Sequence, residues 1–304
     1  MDREEEFDSI SSKFLGQQGS YAVQTDHFDS SFLVPMPRKN IRNLYGVTGR
    51  EFVGVDVWNC HEATFLLTSG MPIAGTLKVI YPSSSEFMVE SKSFKLYLNS
   101  FDFCKMGDTL DKAILNYELQ VKNDLTEILK CHVQTRFFRD QNNGSTVDNF
   151  YRYEDLQSIL KYDLESEQIT DYVSDFNHLK FFPSKFNREY FLKTNVLRSR
   201  CRHTKQKDTG TAFFYIYTEK TELDPMSLLK HVISLRNLDE FHEFCAEKLF
   251  IDLMRSGNVN SCCISLLYSR RGSLDINPIR ATSDRVLPLE FIDISRYSYK
   301  QQNQ

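Results

Sequence analysis

The chain has 304 residues, enough to bury a substantial core and long for one domain, and its net charge of −4 argues against a protein that grips nucleic acid through its overall field. With 24 Phe and 15 Tyr against one Trp, the composition excludes a disordered chain and favours packed sheet. Seven cysteines, an odd number with no Cys-x-x-Cys pair, speak against a disulfide framework and for thiols in a reducing compartment. Met1–Glu6 is acidic where a secretory signal is basic and then apolar, and no stretch is long enough to cross a bilayer, so a cytoplasmic location is expected.

Taken in order, residues 1 to about 35 mix Ser, Gln, Asp and Gly with scattered aromatics and read as an irregular arm, which Pro35-Met36-Pro37-Arg38 closes by stopping any regular element. Phe52–Trp58 alternates as a strand, Thr64–Leu67 reads as another short one, and Ile73–Tyr81 is the clearest strand of this half. It leads into Glu90-Ser91-Lys92-Ser93-Phe94-Lys95-Leu96-Tyr97. Phe94, Tyr97, Leu98 and Phe101 recur at helical spacing, with Ser91 or Ser93 expected near the cap. Such a turn can hold a polar or anionic ligand against a helix N-terminus, although periodicity alone favours a capped surface helix with solvated lysines. A helix start at Asp108–Asp111 opens a long apolar face through Leu129, and Cys131–Phe138 returns to period two.

Asp140–Ser145 is a turn by composition, and Tyr151–Leu164 is polar and moderately helical, which places a module boundary near residue 165. The second half repeats the order of elements. Glu189–Leu197 and Ala212–Tyr217 read as a strand pair, two helices follow over Pro225 to about Arg236 and Leu238 to about Arg255, and Cys262–Tyr268 is a strand. Strands, helices and strands in that sequence predict an α+β fold, with helices packed on one face of antiparallel sheet in each of two modules, 1–164 and 165–304.

Several residues are suited to chemistry. Cys201 stands in Arg198-Ser199-Arg200-Cys201-Arg202-His203-Thr204-Lys205, where four cationic side chains counting Lys205 would favour the thiolate, although a small buried hydrophobe is the commoner fate of a cysteine. Asp208 precedes Gly210 in what local pattern makes a turn. His242 and Glu243 open an apolar-faced helix on which Glu243 could be an exposed charge. Cys201-x-His203 with His242-x-x-Cys245 would make an unusual zinc set, its spacing unlike structural zinc motifs and Cys245 on the apolar face, so no metal is expected. There is no Gly-x-Gly-x-x-Gly fingerprint for a dinucleotide.

The octet Glu90–Tyr97 resembles the signature of the QueF family, the NADPH-dependent 7-cyano-7-deazaguanine reductases of queuosine biosynthesis. Three further blocks follow in that family's order: Ser199-Arg200-Cys201 with Thr204, Gln206, Asp208 and Gly210; Glu240-Phe241-His242-Glu243; and Arg270–Pro278. Their placement resembles the long, two-module form. The resemblance implies two tandem tunnelling-fold modules whose sheets join into a barrel, a shared site consistent with a homodimer, and action on a small free base with no direct nucleic-acid or membrane partner.

The same resemblance implies the roles. Cys201 is the nucleophile that forms a thioimide with the nitrile carbon, and Asp208, seven positions on, is the general acid, which must hold its proton at neutral pH. His242 lies beside the reacting group, and Glu243 anchors the donor edge of the guanine-like base, with Val89, Glu90 and Ser91 as further substrate contacts. Ser91, Lys92, Arg271 and Gly272 are assigned to NADPH, two of which are consumed in the four-electron reduction. The loop departs from the family pattern at Arg200, Lys207 and Thr209, where asparagine, proline and tryptophan are usual. Two other readings stand beside it: a zinc-dependent purine or pterin hydrolase of similar architecture, and a base-binding protein without turnover.

Overall fold

The computed structural model describes residues 26–139, 150–161, 164–170, 172–173, 175–202, 204–297 and 304. The expected turn at Asp140–Ser145, the first 25 residues of the expected arm and His203 lie outside them. The remainder of the arm lies over the first helix of the octet, with Phe28 stacked on Phe101 at 4.8 Å and the Val34 amide donating to Ser93 Oγ at 3.1 Å.

Phe52–Trp58 and Thr64–Leu67, expected as separate strands, belong to one long strand, β1 (Val53–Leu67). A bulge between Cys60 and Ala63 shifts its register against β2 (Pro72–Pro82), and that extra residue breaks the alternation by which continuity would be recognised. β3 (Gln134–Phe138) follows, then the hairpin of β4 (Arg188–Arg200) and β5 (Lys207–Thr218), whose tip carries Cys201. β6 (Ser261–Tyr268) and β7 (Leu274–Ala281) complete the set. β7 was expected only as a motif: Asp275, Asn277, Pro278 and Arg280 conceal it, yet each of its residues is buried.

These strands form one sheet in the order β3–β2–β1–β7–β6–β5–β4, every neighbouring pair antiparallel, with short parallel additions at Lys105–Gly107 on β1 and Glu154–Asp155 on β4. The two halves of the chain therefore meet along β1 and β7, paired from Leu274 opposite Cys60 to Ala281 opposite Val53. The first half runs hairpin, helix pair, strand, and the second runs hairpin, helix pair, two strands.

The principal helices are α1 (Arg38–Leu44), α2 (Ser91–Asn99), α3 (Leu110–Leu129), α4 (Pro225–Ser234) and α5 (His242–Arg255). Contrary to expectation, Pro35–Pro37 does not stop regular structure. It pairs as an edge strand with Phe87–Val89, and α1 begins at the next residue, since a proline is tolerated at a strand edge and just before a helix. α3 starts at the expected place, with the Thr109 hydroxyl accepting from the Lys112 amide, and buries Tyr117, Val121, Leu125 and Leu129. The polar stretch Tyr151–Leu164 yields the short strand Glu154–Asp155 and the one-turn helix Leu156–Ile159 among its described residues.

Alternate residues of the strands face opposite ways. Trp58, Cys60 and Leu77 pack with α2 and α3, and Phe214, Ile264 and Leu266 pack with α4 and α5. Val57, Ile80, Phe213 and Ile279 form a third cluster on the other face, covered by Phe150 and Phe291. The long helices α2 to α5 thus occupy one face of the sheet, as expected for α+β, and the one-turn helix Leu289–Ile292 brings Phe291 to the other.

The seam between the halves carries a buried ionic network. Asp56 on β1 accepts from Arg38 at 2.5 Å and from Arg280 on β7 at 2.8 Å; Glu247 on α5 accepts from Arg280 at 3.0 Å and Arg42 at 2.6 Å. Desolvating such charges is expensive, and deleting one member leaves its partners uncompensated at a cost of roughly 3–5 kcal/mol, so the network fixes how the halves dock.

Candidate active site

Four segments converge above the β1–β7 seam: the N-terminus of α2, the tip of the β4–β5 hairpin, the start of α5, and the turn before β7. They enclose a cavity of about 670 Å³ floored by Trp58, Leu274 and Ile276. All residues named from the sequence for substrate, cofactor or catalysis line this cavity, although they come from both halves of the chain.

The first wall is local. Val89 ends a strand, and Glu90, rather than Ser91 or Ser93, is the N-cap of α2: its carboxylate accepts from the Lys92 amide at 3.0 Å and the Ser93 amide at 2.7 Å. A negative side chain there also opposes the positive end of the helix dipole. Ser91 and Lys92 consequently open the helix at the cavity, and Lys95, one turn further, reaches over Gly272. Gly272 has φ +56 and a Cβ added to it would come 3.3 Å from Lys95 Nζ, so glycine answers both a left-handed backbone and a close approach.

The second wall is assembled across the fold. Cys201 is half-buried at the hairpin tip, its amide donating to the Gln206 carbonyl at 2.8 Å and its carbonyl accepting from Lys205 at 2.9 Å. The cationic run around it meets carboxylates. Arg200 and Lys205 both pair with Asp239, at 2.7 and 2.9 Å, and Arg202 pairs with Glu240 at 2.7 Å, so three of the four cations are committed to carboxylates. The backbone joins in, with Arg200 donating to Leu238 and Glu240 donating to Arg200. This pairing keeps Leu238–Phe241 extended and explains why α5 starts at His242, four residues later than expected.

Asp208 lies on β5 opposite Ser199 and is almost fully buried, so the expected turn residue is a strand residue. Its Oδ1 is 2.5 Å from Arg271 Nη1 and 3.5 Å from His242 Nε2. His242 stacks flat on Tyr268, with ring centroids 3.7 Å apart. Gly210, two residues beyond Asp208, is required because a Cβ there would lie 2.4 Å from the Leu267 carbonyl oxygen on β6.

Glu243 is buried at the first turn of α5. Burial raises its carboxyl above the ordinary range, and the charge of Asp56 adds to this, while Arg38 and His242 act in the opposite direction. Behind it stands the ionic network of the seam. Cys245, by contrast, is wholly buried, and burial pushes its thiol up to about 12.

Sequence reasoning missed Glu240 as a site residue. It lines the cavity with its Oε1 accepting from the Tyr45 hydroxyl at 2.6 Å and from Arg202, and it stands inside a block already singled out. Lys95 likewise belonged to the octet, and Gln206, which faces Arg271, belonged to the block around Cys201, yet neither was assigned a role.

Comparison with known proteins gives the family. Residues 24–137 match the family model described as nitrile reductase, 7-cyano-7-deazaguanine-reductase N-terminal. The chain is 33% identical over 281 residues to the NADPH-dependent 7-cyano-7-deazaguanine reductase of Rickettsia typhi, covering 90% of this chain and 94% of that one. It is 32% identical over 277 residues to the protein of the same name from Burkholderia ambifaria, at the same coverages. The chain belongs to the NADPH-dependent 7-cyano-7-deazaguanine reductase family. In this reductase family member the carboxylates Asp208, Glu240 and Glu243 and the bases Lys92, Lys95, Arg270 and Arg271 face one cavity, which suits a polar heterocycle and an anionic cofactor together. No helix among the described residues is long and apolar enough to cross a membrane.

Proposed function

We propose that this chain reduces the nitrile of 7-cyano-7-deazaguanine to the aminomethyl group of 7-aminomethyl-7-deazaguanine, with NADPH as reductant, in the path to queuosine in tRNA. The observation that carries the reading is the convergence of Cys201, Asp208, Glu243 and the Ser91–Lys92 helix start on one cavity at the seam of the two halves. Glu243 accepts the N–H donors of the base edge, a charge-assisted contact made strong by its buried setting, while Val89, Glu90 and Ser91 border the base. Cys201 Sγ gives up its proton to the Asp208 carboxylate and bonds the nitrile carbon, and the nitrogen takes that proton from Asp208; addition of a thiol across the triple bond is thereby balanced. His242, stacked on Tyr268 and within 3.5 Å of Asp208, holds the acid's side of the cleft.

The residues present fit the cofactor. Ser91 and Lys92 at a helix N-terminus, Lys95 over the left-handed Gly272, and Arg271 together make an anion-binding face. Nicotinamide bound there supplies hydride, twice per turnover with exchange of the cofactor between. The matching order of elements in the two halves supports two tandem tunnelling-fold modules, 1–164 and 165–304, and the outer strands of the sheet support association as a homodimer. The substrate is a free base, without direct contact to nucleic acid, and seven cysteines without a disulfide suit the reducing cytosol.

Mass spectrometry of the protein mixed with 7-cyano-7-deazaguanine tests this. An adduct mapping to Cys201 that disappears when NADPH is added is expected. An adduct indifferent to NADPH would mark a binding protein without turnover, and absence of any adduct would end the thioimide reading.

A further inference from the structure

Arg271 is drawn toward two partners that the proposed reaction uses at different moments. Its Nη1 is 2.5 Å from Asp208 Oδ1, and its Nη2 donates to Gln206 Oε1, so both terminal nitrogens of the guanidinium are turned toward the acid and its neighbour. On the proposed function, the same fork meets the anionic groups of the cofactor. A cofactor anion that draws both terminal nitrogens to itself must turn the guanidinium away from Asp208 and Gln206. The backbone leaves no slack to resolve this: Arg271 and Leu274 exchange hydrogen bonds across a turn in which Gly272 and Ser273 are left-handed, at φ +56 and +69, and Asp208 is locked in the β4–β5 ladder. The guanidinium, about one third exposed at the cavity mouth, is the part free to swing, while the Asp208 side chain is 4% exposed.

We infer that Asp208, besides its role as acid, sets the affinity for the cofactor by competing with it for Arg271, and that substrate and cofactor are coupled through this exchange. When the nitrile nitrogen becomes the partner of Asp208, Arg271 is released to the cofactor face; by thermodynamic linkage, cofactor that captures Arg271 leaves the Asp208 carboxyl to the nitrile. The inference rests on the proposed assignment of Arg271 to the cofactor.

The test titrates NADP+, the oxidised cofactor, which binds without turnover, by calorimetry or by quenching of Trp58, the chain's one tryptophan, which lines the cavity. Asp208→Asn is expected to tighten NADP+ roughly fivefold or more, and the same substitution in an Arg271→Gln background is expected to change nothing. In the unsubstituted protein 7-cyano-7-deazaguanine tightens NADP+ as well, and in Asp208→Asn that gain disappears. Equal gains in both backgrounds would reduce the effect to a diffuse charge change and overturn the inference, as would no gain at all, with the cofactor assignment left intact. Should Asp208→Asn fail to fold, Gln206→Leu removes the other contact of the fork, and it must tighten NADP+ to a lesser degree or the inference falls. Failure of all these proteins to bind NADP+ would instead overturn the cofactor assignment, and the competition with it.

Discussion

The two walls of the cavity are built by different means. The Val89–Lys95 wall is a run of adjacent residues positioned by one helix cap, Glu90, whose two amide contacts point α2 at the cavity. The opposite wall brings Cys201, Asp208, Glu240, Glu243 and Arg271 from three segments, and ion pairs that cross the fold hold the hairpin tip, Glu240 and Asp208 in place. A capped helix presents its first turn wherever it is placed, so that wall tolerates change around it. The other depends on each carboxylate finding its cation.

That contrast predicts graded effects, and the largest lies at the nucleophile. Cys201→Ala abolishes NADPH oxidation while the base still binds; turnover surviving in this variant would contradict the chemistry assigned to the second wall. Glu243→Gln weakens base binding by roughly a hundredfold, as expected on losing a buried charged partner worth about 3 kcal/mol. The measurement is a base titration, and an unaltered dissociation constant would remove Glu243 from the pocket.

The acidity of the same carboxyl adds a sign. Because burial raises it, Glu243 takes up its proton at a higher pH than an exposed glutamate, whose ordinary value is 4.5. The ionised form accepts the base, so affinity falls as pH is lowered through that raised value and is retained above it. In Glu243→Gln this acid limb vanishes from the affinity profile; a limb that persists belongs to another group.

Glu240→Gln releases Arg202 and weakens the Tyr45 contact, which frees the hairpin tip. Formation of the Cys201 adduct should slow by about tenfold while base affinity stays close to that of the parent. Rapid mixing followed by mass spectrometry separates the two, and a loss confined to affinity would show that the tip is held by other means. The smallest effects belong to the local wall. Lys92→Ala and Lys95→Ala each weaken NADP+ by roughly threefold to tenfold, and added salt narrows the difference as expected for partly exposed charges; differences independent of salt would argue for direct packing instead.

The order of elements, the α+β class, the capped helix after β2 and the hairpin bearing Cys201 were legible in the chain, because each depends on the spacing of apolar residues along a few turns or a few pleats. Legibility ended where a register shift or a polar residue on a buried strand disguised the pattern, as at the Cys60–Ala63 bulge and in β7. The cationic run around Cys201 was legible while its partners were not, since local charge says nothing of the carboxylates that meet it from elsewhere.

By itself the sequence determined the inventory: a cysteine, an acid seven residues beyond it, a Glu-Phe-His-Glu block and a serine-lysine helix start, each recognisable from neighbouring residues. Only the tertiary structure decided that β1 and β7 pair to draw them around one cavity, that Asp239 and Glu240 claim the cations beside Cys201, and that Arg271 grips Asp208. Spacing along a chain encodes what a segment can form, but electrostatic partners distant in sequence are set by packing, and it is those partners that decide which charges remain available for chemistry.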